Sequence, residues 1–183
     1  MQPGPDDTML DIGVSHLEPG QLTLEAMYPY RHRIVGGGLD TMPGEVARAR
    51  TVYPEIQALI FDGCALPFDD GAFDLVFSNA VIEHVGPSSV QEQFAREVMR
   101  VGRRWFVTTP NARFPVELHY QLPLIHWLPA TWKHGIVRRL LGRDDEIHLL
   151  TANRLRRLFP GAVVLQQRVT FWPETLIAYK ANA

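Results

Sequence analysis

Cysteine is almost missing from this chain: 183 residues carry one, Cys64. That excludes an internal disulfide framework and a cysteine-built metal site. Long apolar runs are missing as well. No stretch approaches the roughly 20 apolar residues that a helical membrane span needs. The opening MQPGPDDTML has no basic region leading into an apolar run, so no secretion signal is expected and the default compartment is the cytoplasm. No internal repeat and no low-complexity tract is found. Net charge is small, −2. What remains is an ordinary globular composition, 46% hydrophobic and 21% charged, which excludes disordered, collagen-like and coiled-coil chains. The length suits one domain with a buried core.

The small net charge hides a split. Residues 1–100 hold 15 acidic and 6 basic side chains, and residues 101–183 hold 5 acidic and 12 basic. Either surface charges merely segregate, or an acidic half serves a cationic ligand and a basic half lies near an anionic substrate or surface.

Apolar runs bounded by turn residues mark the strands. Thr8–Gly13 reads as a buried strand ending in Asp11 and Gly13. Arg33–Leu39 is a second, weakened by Gly36, Gly37 and Gly38, with Asp40 just beyond it. Gln57–Phe61 is a third, ending at Asp62-Gly63, and Ala72–Ser78 a fourth. Arg104–Thr109 is a fifth, stopped by Pro110. Between the first two strands, Leu22–Tyr28 has room for about two helical turns before Pro29. Thr41 is placed to cap a short helix with Pro43 in its first turn. Ser89-Val90-Gln91-Glu92 has the form of a capping box, followed by Val90, Phe94, Val98 and Val101 at helical spacing. Thr151 opens a helix through Phe159, and Val163–Val169 and Leu176–Tyr179 close the chain as a hairpin. Strands alternating with helices predict an α/β, doubly wound, mostly parallel sheet of seven strands, with an antiparallel strand near the C-terminal edge. In such sheets ligands bind beyond the carboxyl ends of the strands. Asp11-Gly13, Asp40, Asp62-Gly63, Ser78-Asn79 and Thr109-Asn111 all fall there.

A carboxylate just beyond the second strand can accept both ribose hydroxyls of an adenosine ligand. Asp40 stands in that place, and Asp62 is placed to accept from the exocyclic amine of adenine. Gly13 lets backbone approach the ligand closely. Polar residues and glycines are common at strand ends in any case, but three acids at three successive ends favour a site. Residues 61–85, FDGCALPFDDGAFDLVFSNAVIEHV, then strongly resemble the class I S-adenosylmethionine-dependent methyltransferases. They carry that family's acid, Leu-Pro-Phe turn, Phe-Asp strand and terminal Glu-His. The resemblance implies a Rossmann-like sheet and S-adenosylmethionine as cofactor. By the same resemblance, Asp11, Gly13, Val14 and Ser15 belong to the loop around the methionine part. Asp40 matches the ribose acid. Asp62 matches the adenine-side acid, flanked by Gly63 and Cys64, and Ser78 and Asn79 end the fourth strand near the methionine group. In the first loop, Ser15 and Leu17 stand where the family usually has glycines, and the usual N-terminal helical cover is absent. The cofactor carries no phosphate, so a phosphate-cradling loop is not required.

Methyl transfer from a sulfonium is an in-line displacement, for which the protein chiefly positions donor and acceptor. A base helps only where the acceptor must lose a proton. His84 and His119 are the candidates; each also has a plain reading as local packing or loop polarity. Glu117, His119 and His126 match no metal-site spacing, so no metal is expected. Residues 110–150 read as a substrate-side insertion or lid within a domain of residues 1–183. The insertion is aromatic early (Trp127, Trp132) and basic later (Lys133, Arg138, Arg139, Arg143). The expected acceptor is a small molecule, a glycan or a lipid-linked group, methylated on oxygen or nitrogen. Peripheral membrane contact through 114–143 is a further reading, and nucleic acid is not expected as a partner. The competing reading is a degenerate, non-catalytic binding or regulatory module. The oligomeric state is left open.

Overall fold

Met9–Ile12 forms the central strand β1, buried along its whole length. The structure is a computed structural model and describes residues 3–14, 24–38, 44–117, 122–141, 147–168 and 171–180. A short helix α1, Leu24–Met27, and a 3-10 turn, Arg31–Arg33, lead to β2, Ile34–Gly38. Helix α2, Glu45–Val52, precedes β3, Gln57–Ile60, and β4 follows at Phe73–Asn79. Helix α3, Ser88–Val101, runs directly into β5, Gly102–Pro110. Next come a small ribbon of β6, Val116–Glu117, and β7, Leu122–Pro123, then a 3-10 turn at Ile125–Trp127 and helix α4, Ala130–Leu141. Helix α5, Ala152–Leu158, and the hairpin of β8, Val163–Arg168, and β9, Pro173–Lys180, follow.

The main sheet has the order β3-β2-β1-β4-β5-β9-β8. β1 to β5 are mutually parallel, and β9 runs antiparallel to both β5 and β8. This is the expected Rossmann-like sheet. Its reversed strand lies one place in from the edge. The order switches direction between β1 and β4, which opens a crevice at their carboxyl ends.

Residues opposite one another on paired strands share a face of the sheet. On one face, Leu10, Ile12, Val76, Trp105, Val107 and Ala178 pack with Phe94 and Val98 of α3 and Leu155 and Leu158 of α5. On the other, Met9, Ile34 and Leu75 pack with Val46 and Ala49 of α2 and with Tyr28. Farther along that second face Phe77, Phe106, Tyr179 and Val163 lie in one register row, the two phenyl rings stacked 5.7 Å apart. The row opens to solvent at the sheet edge, where Val163 and Leu165 are 49% and 48% exposed.

The Leu66-Pro67-Phe68 turn has a physical anchor. Phe68 sits edge-on between Phe61 (5.8 Å) and Phe73 (4.9 Å). From the last turns of α3, Arg100 donates to the Leu66 and Phe68 carbonyls, and Glu97 accepts the Leu66 N–H at 2.8 Å.

Helix starts differ from their sequence signals. The capping box at Ser89–Glu92 does not form. The N-cap lies two residues earlier, at Pro87, with no side-chain cap, and the helix begins at Ser88. Glu92 instead pairs with Arg154 of α5 at 2.7 Å, and Gln91 turns inward to the carbonyls of Ile82 and His148. Helix α2 is capped by Gly44 at φ 90° rather than by Thr41, which lies outside the described residues together with Pro43. At α5 the expected cap is present, Thr151 accepting from the Arg154 N–H.

Candidate active site

The carboxyl ends of β1, β2, β3 and β4 surround a cavity of about 620 Å3, a volume suited to a nucleoside-sized molecule. One wall is Ile12, Gly13 and Val14 leaving β1, beside Gly37 and Gly38 ending β2. Gly13 has φ 94°, and its N–H donates to the Gly37 carbonyl at 2.7 Å. A Cβ at Gly13 would stand 2.4 Å from Cγ2 of Val81, across the cavity mouth. Only glycine meets both conditions. At Gly37 a Cβ would meet the Leu59 carbonyl oxygen at 1.9 Å. The glycine run that weakens β2 as a strand is therefore what lets three strands end close together.

Asp62, Gly63 and Cys64, just after β3, form the floor. Asp62 Oδ1 accepts the Cys64 N–H at 2.8 Å, which fixes its carboxylate by an Asx turn. Burial, and then the charge of Asp62, push the Cys64 thiol up to about 11. It is a neutral wall group with a weak contact to the Val90 carbonyl, not a nucleophile. Val90, Gln93 and Phe94 of α3 close that side.

The turn after β4 supplies Ala80, Val81, His84 and Val85. Ala80 holds φ 55°, uncommon for alanine, and its N–H is bonded to the carbonyl and the hydroxyl of Thr108, both at 3.2 Å. His84 lines the cavity with its side chain 42% exposed, and its Nε2 lies 4.0 Å from Oε1 of Glu83. Glu83 is fully buried; its other oxygen accepts from Thr109 Oγ1 at 2.9 Å, and its carbonyl accepts the His148 N–H at 2.9 Å.

Of the residues singled out from sequence, Gly13, Val14, Asp62, Gly63, Cys64 and His84 thus meet at one cavity. Three do not line it. Asp11 is buried within β1, against Glu25 of α1. Burial, and then the interaction with Glu25, push its carboxyl well above the usual carboxylate range. Ser78 is buried beside Ile12, and Asn79 accepts from Thr108 Oγ1. Ser15, Asp40 and His119 lie outside the described residues, and the side chains of Glu117 and His126 are not described. Sequence reasoning missed Gly37, Gly38, Ala80, Val81 and Gln93. The triple glycine was the one available signal.

Among the described residues the lining holds one carboxylate and one imidazole, with no lysine or arginine. Such a lining suits a cation attached to a flat heterocycle better than a phosphate ester.

Residues 10–104, more than half of the chain, match the family of the methyltransferase domain. The chain belongs to that family. No curated protein matches it. Its fold is similar to that of an S-adenosylmethionine-dependent methyltransferase from Methanosarcina mazei. The two are 16% identical over 97% of this chain and 94% of that one, with a TM-score of 0.61. It is also similar to a protein of Pyrococcus horikoshii OT3, 15% identical over 94% and 80% of the two chains, TM-score 0.68. A third is the geranyl diphosphate C-methyltransferase of Streptomyces coelicolor A3(2), in complex with Mg2+, geranyl diphosphate and S-adenosyl-L-homocysteine. It is 15% identical over 97% and 71%, TM-score 0.60. At these identities the likeness concerns the fold. Family and fold together make this chain a class I, S-adenosylmethionine-dependent methyltransferase. An enzyme, not a non-catalytic module, is the reading they support.

Proposed function

We propose that the chain transfers a methyl group from S-adenosylmethionine, held in the 620 Å3 cavity, to oxygen or nitrogen of a small-molecule, glycan or lipid-linked acceptor. The observation that carries the reading is the meeting of Gly13, Gly37, Asp62 and His84 at the carboxyl ends of the sheet in a chain of this family. The stretch 61–85 is read as the family's signature, Leu-Pro-Phe, Phe-Asp and Glu-His. The bound cofactor supplies an electrophilic methyl on a sulfonium. Backbone at Gly13 and Gly37–Gly38 admits its body, with Val14 and Ser15 continuing that loop. Asp62, with Gly63 and Cys64, would hold the adenine through its amine, and Asp40 would take the ribose hydroxyls. Asp11, Ser78 and Asn79 act from behind the wall, by holding α1 and the end of β4.

Where the acceptor carries a proton, His84 removes it. Oε1 of Glu83, whose other oxygen is anchored by Thr109, lies 4.0 Å from Nε2 of that imidazole, near the positive charge it gains. His119 is a second candidate base. Residues 110–150 are read as the substrate-side insertion. The Gln91 amide and the Glu83 carbonyl hold the return of that segment at His148 against α3 and the turn after β4.

Calorimetric titration with S-adenosylmethionine and with S-adenosylhomocysteine tests the reading. Micromolar binding is expected. Asp40→Ala is expected to weaken it by about 1.5–3 kcal/mol, the usual worth of charged hydrogen bonds. No heat at millimolar ligand would overturn the reading. An unchanged Asp40→Ala affinity would overturn the role of that residue.

A further inference from the structure

Six large apolar side chains stand in solvent at the ligand end of the sheet, and they come from two distant parts of the chain. Phe171 and Trp172 form the tip of the β8–β9 hairpin, with rings 6.4 Å apart and Phe171 86% exposed. Leu124, Trp127 and Leu128 project between β7 and α4, and Trp132, in the first turn of α4, is 67% exposed. Removing such side chains from water is favourable. A cluster of them left in water therefore marks a contact surface.

One buried residue joins the two groups. Asn111, directly after β5, donates from Nδ2 to the Pro173 carbonyl at 2.9 Å and from its N–H to the Glu174 carbonyl at 2.8 Å. The next carbonyl, of Ala112, accepts the Trp127 indole N–H at 3.0 Å. Trp127 and the residue after Trp172 are thus fixed to neighbouring positions at the end of β5. Because β5 is parallel to β4, this is also the end at which the cavity opens.

Cations flank the apolar group. Arg113 and Arg168 are exposed on either side of the Asn111 joint, Arg113 following it and Arg168 paired with Pro173 in the hairpin. Arg138 and Arg139 are exposed in the last turns of α4. Indole and phenyl groups at the tips with guanidinium groups around them match the boundary of an anionic bilayer. There aromatic rings lie at the depth of the headgroups, and arginines reach phosphates and carboxylates.

From this juxtaposition we infer that the end of the molecule carrying Phe171–Trp172 and Leu124–Trp132 docks on an anionic lipid surface. The docked face carries the mouth of the cavity with it, so an acceptor at that surface reaches the site without crossing bulk water. The inference stands on exposure, geometry and charge, and is independent of the chemistry in the cavity.

Co-sedimentation of the full chain with phosphatidylcholine vesicles, with and without phosphatidylserine, tests it. The expected result is pelleting with phosphatidylserine vesicles at low salt and release as salt is raised. Tryptophan fluorescence should be quenched by brominated acyl chains. Phe171→Ser with Trp172→Ser is expected to lower the partition coefficient about tenfold or more. Trp132→Ser should act in the same direction, and Arg138→Ser with Arg139→Ser should cost about fivefold for each charge. Leu165→Ser, at the open sheet edge, should leave binding unchanged. Circular dichroism spectra matching the parent chain establish that the variants fold. Failure to pellet overturns the inference. So does equal binding to neutral vesicles, or pelleting that the aromatic substitutions leave intact. Concentration-dependent self-association abolished by the aromatic variants, without lipid binding, would assign the surface to a second copy instead.

Discussion

Gly13 is held to glycine twice over. Its φ of 94° and the 2.4 Å approach that a Cβ would make to Val81 are separate demands, and each excludes a side chain. Gly13→Ala is expected to cost about 1–3 kcal/mol of stability from backbone strain alone. It should also abolish cofactor binding, because relief of the clash moves the cavity mouth. A thermal melt alongside the calorimetric titration measures both. Asp11 makes a different kind of prediction. Its native carboxyl holds a proton far above the ordinary 3.8, so it contributes stability at low pH that is lost as pH rises toward its raised value. Asn is nearly isosteric with the protonated acid and does not ionise. Asp11→Asn is therefore expected to melt higher than the parent near pH 8, with a gap that narrows as pH falls. A gap that widens toward low pH would show that Asp11 is ionised and paired.

Helix α3 is the element that sets the site. Its inner stripe, Gln91, Phe94, Ala95, Val98 and Val101, follows the helical period and contains one polar member. Gln91 spends its amide on two carbonyls, at 3.3 Å to Ile82 and 2.8 Å to His148. Those partners belong to the turn that bears His84 and to the return of the 110–150 segment. Gln91→Ala removes one buried and one part-buried hydrogen bond and is expected to destabilise by about 1–3 kcal/mol. Chemical denaturation measures that loss. Hydrogen exchange should show faster opening at 147–150 than in β1. At its other end, the same helix holds the 66–70 turn through Arg100 and Glu97. Arg100→Ala should therefore loosen that turn while leaving the helix itself intact, as amide exchange at Leu66 would report.

For the whole molecule, the split of charge is partly spent inside the fold. Arg103 and Arg104, from the basic half, bond Asp74 and Asp7 of the acidic half, and Arg154 bonds Glu92. Hydrogen bonds from Thr8 hold Asp74 below its ordinary 3.8, and Arg104 does the same for Asp7. Depressed carboxylates contribute stability that is complete above their unfolded values and is lost as pH falls through the folded ones. The parent is expected to unfold in acid below about pH 4. Asp74→Asn should shallow that acid limb and lower stability at neutral pH, as urea titrations across pH would show. The basic residues not used in these pairs include the exposed arginines around the aromatic end.

Much of this protein was legible in the order of its residues. The period-2 and unbroken apolar runs placed all seven strands of the main sheet, because an element buried on one or both faces must write that burial into its sequence. Phe94, Val98 and Val101 likewise announced α3. Residues 61–85, whose turn and strand are contiguous in the chain, lie inside the 10–104 stretch that matches the family. What the sequence could not show depended on partners far away in it. Glu92 reads as half of a capping box, yet it faces Arg154 62 residues later. Asp11 reads as a ligand-side acid, yet Glu25 claims it. Gly37 reads as a flaw in a strand, until Leu59 and Gly13 press on its backbone. Local propensity and burial are one-dimensional signals. Which side chain meets which across the sheet ends is decided only when the strands pair.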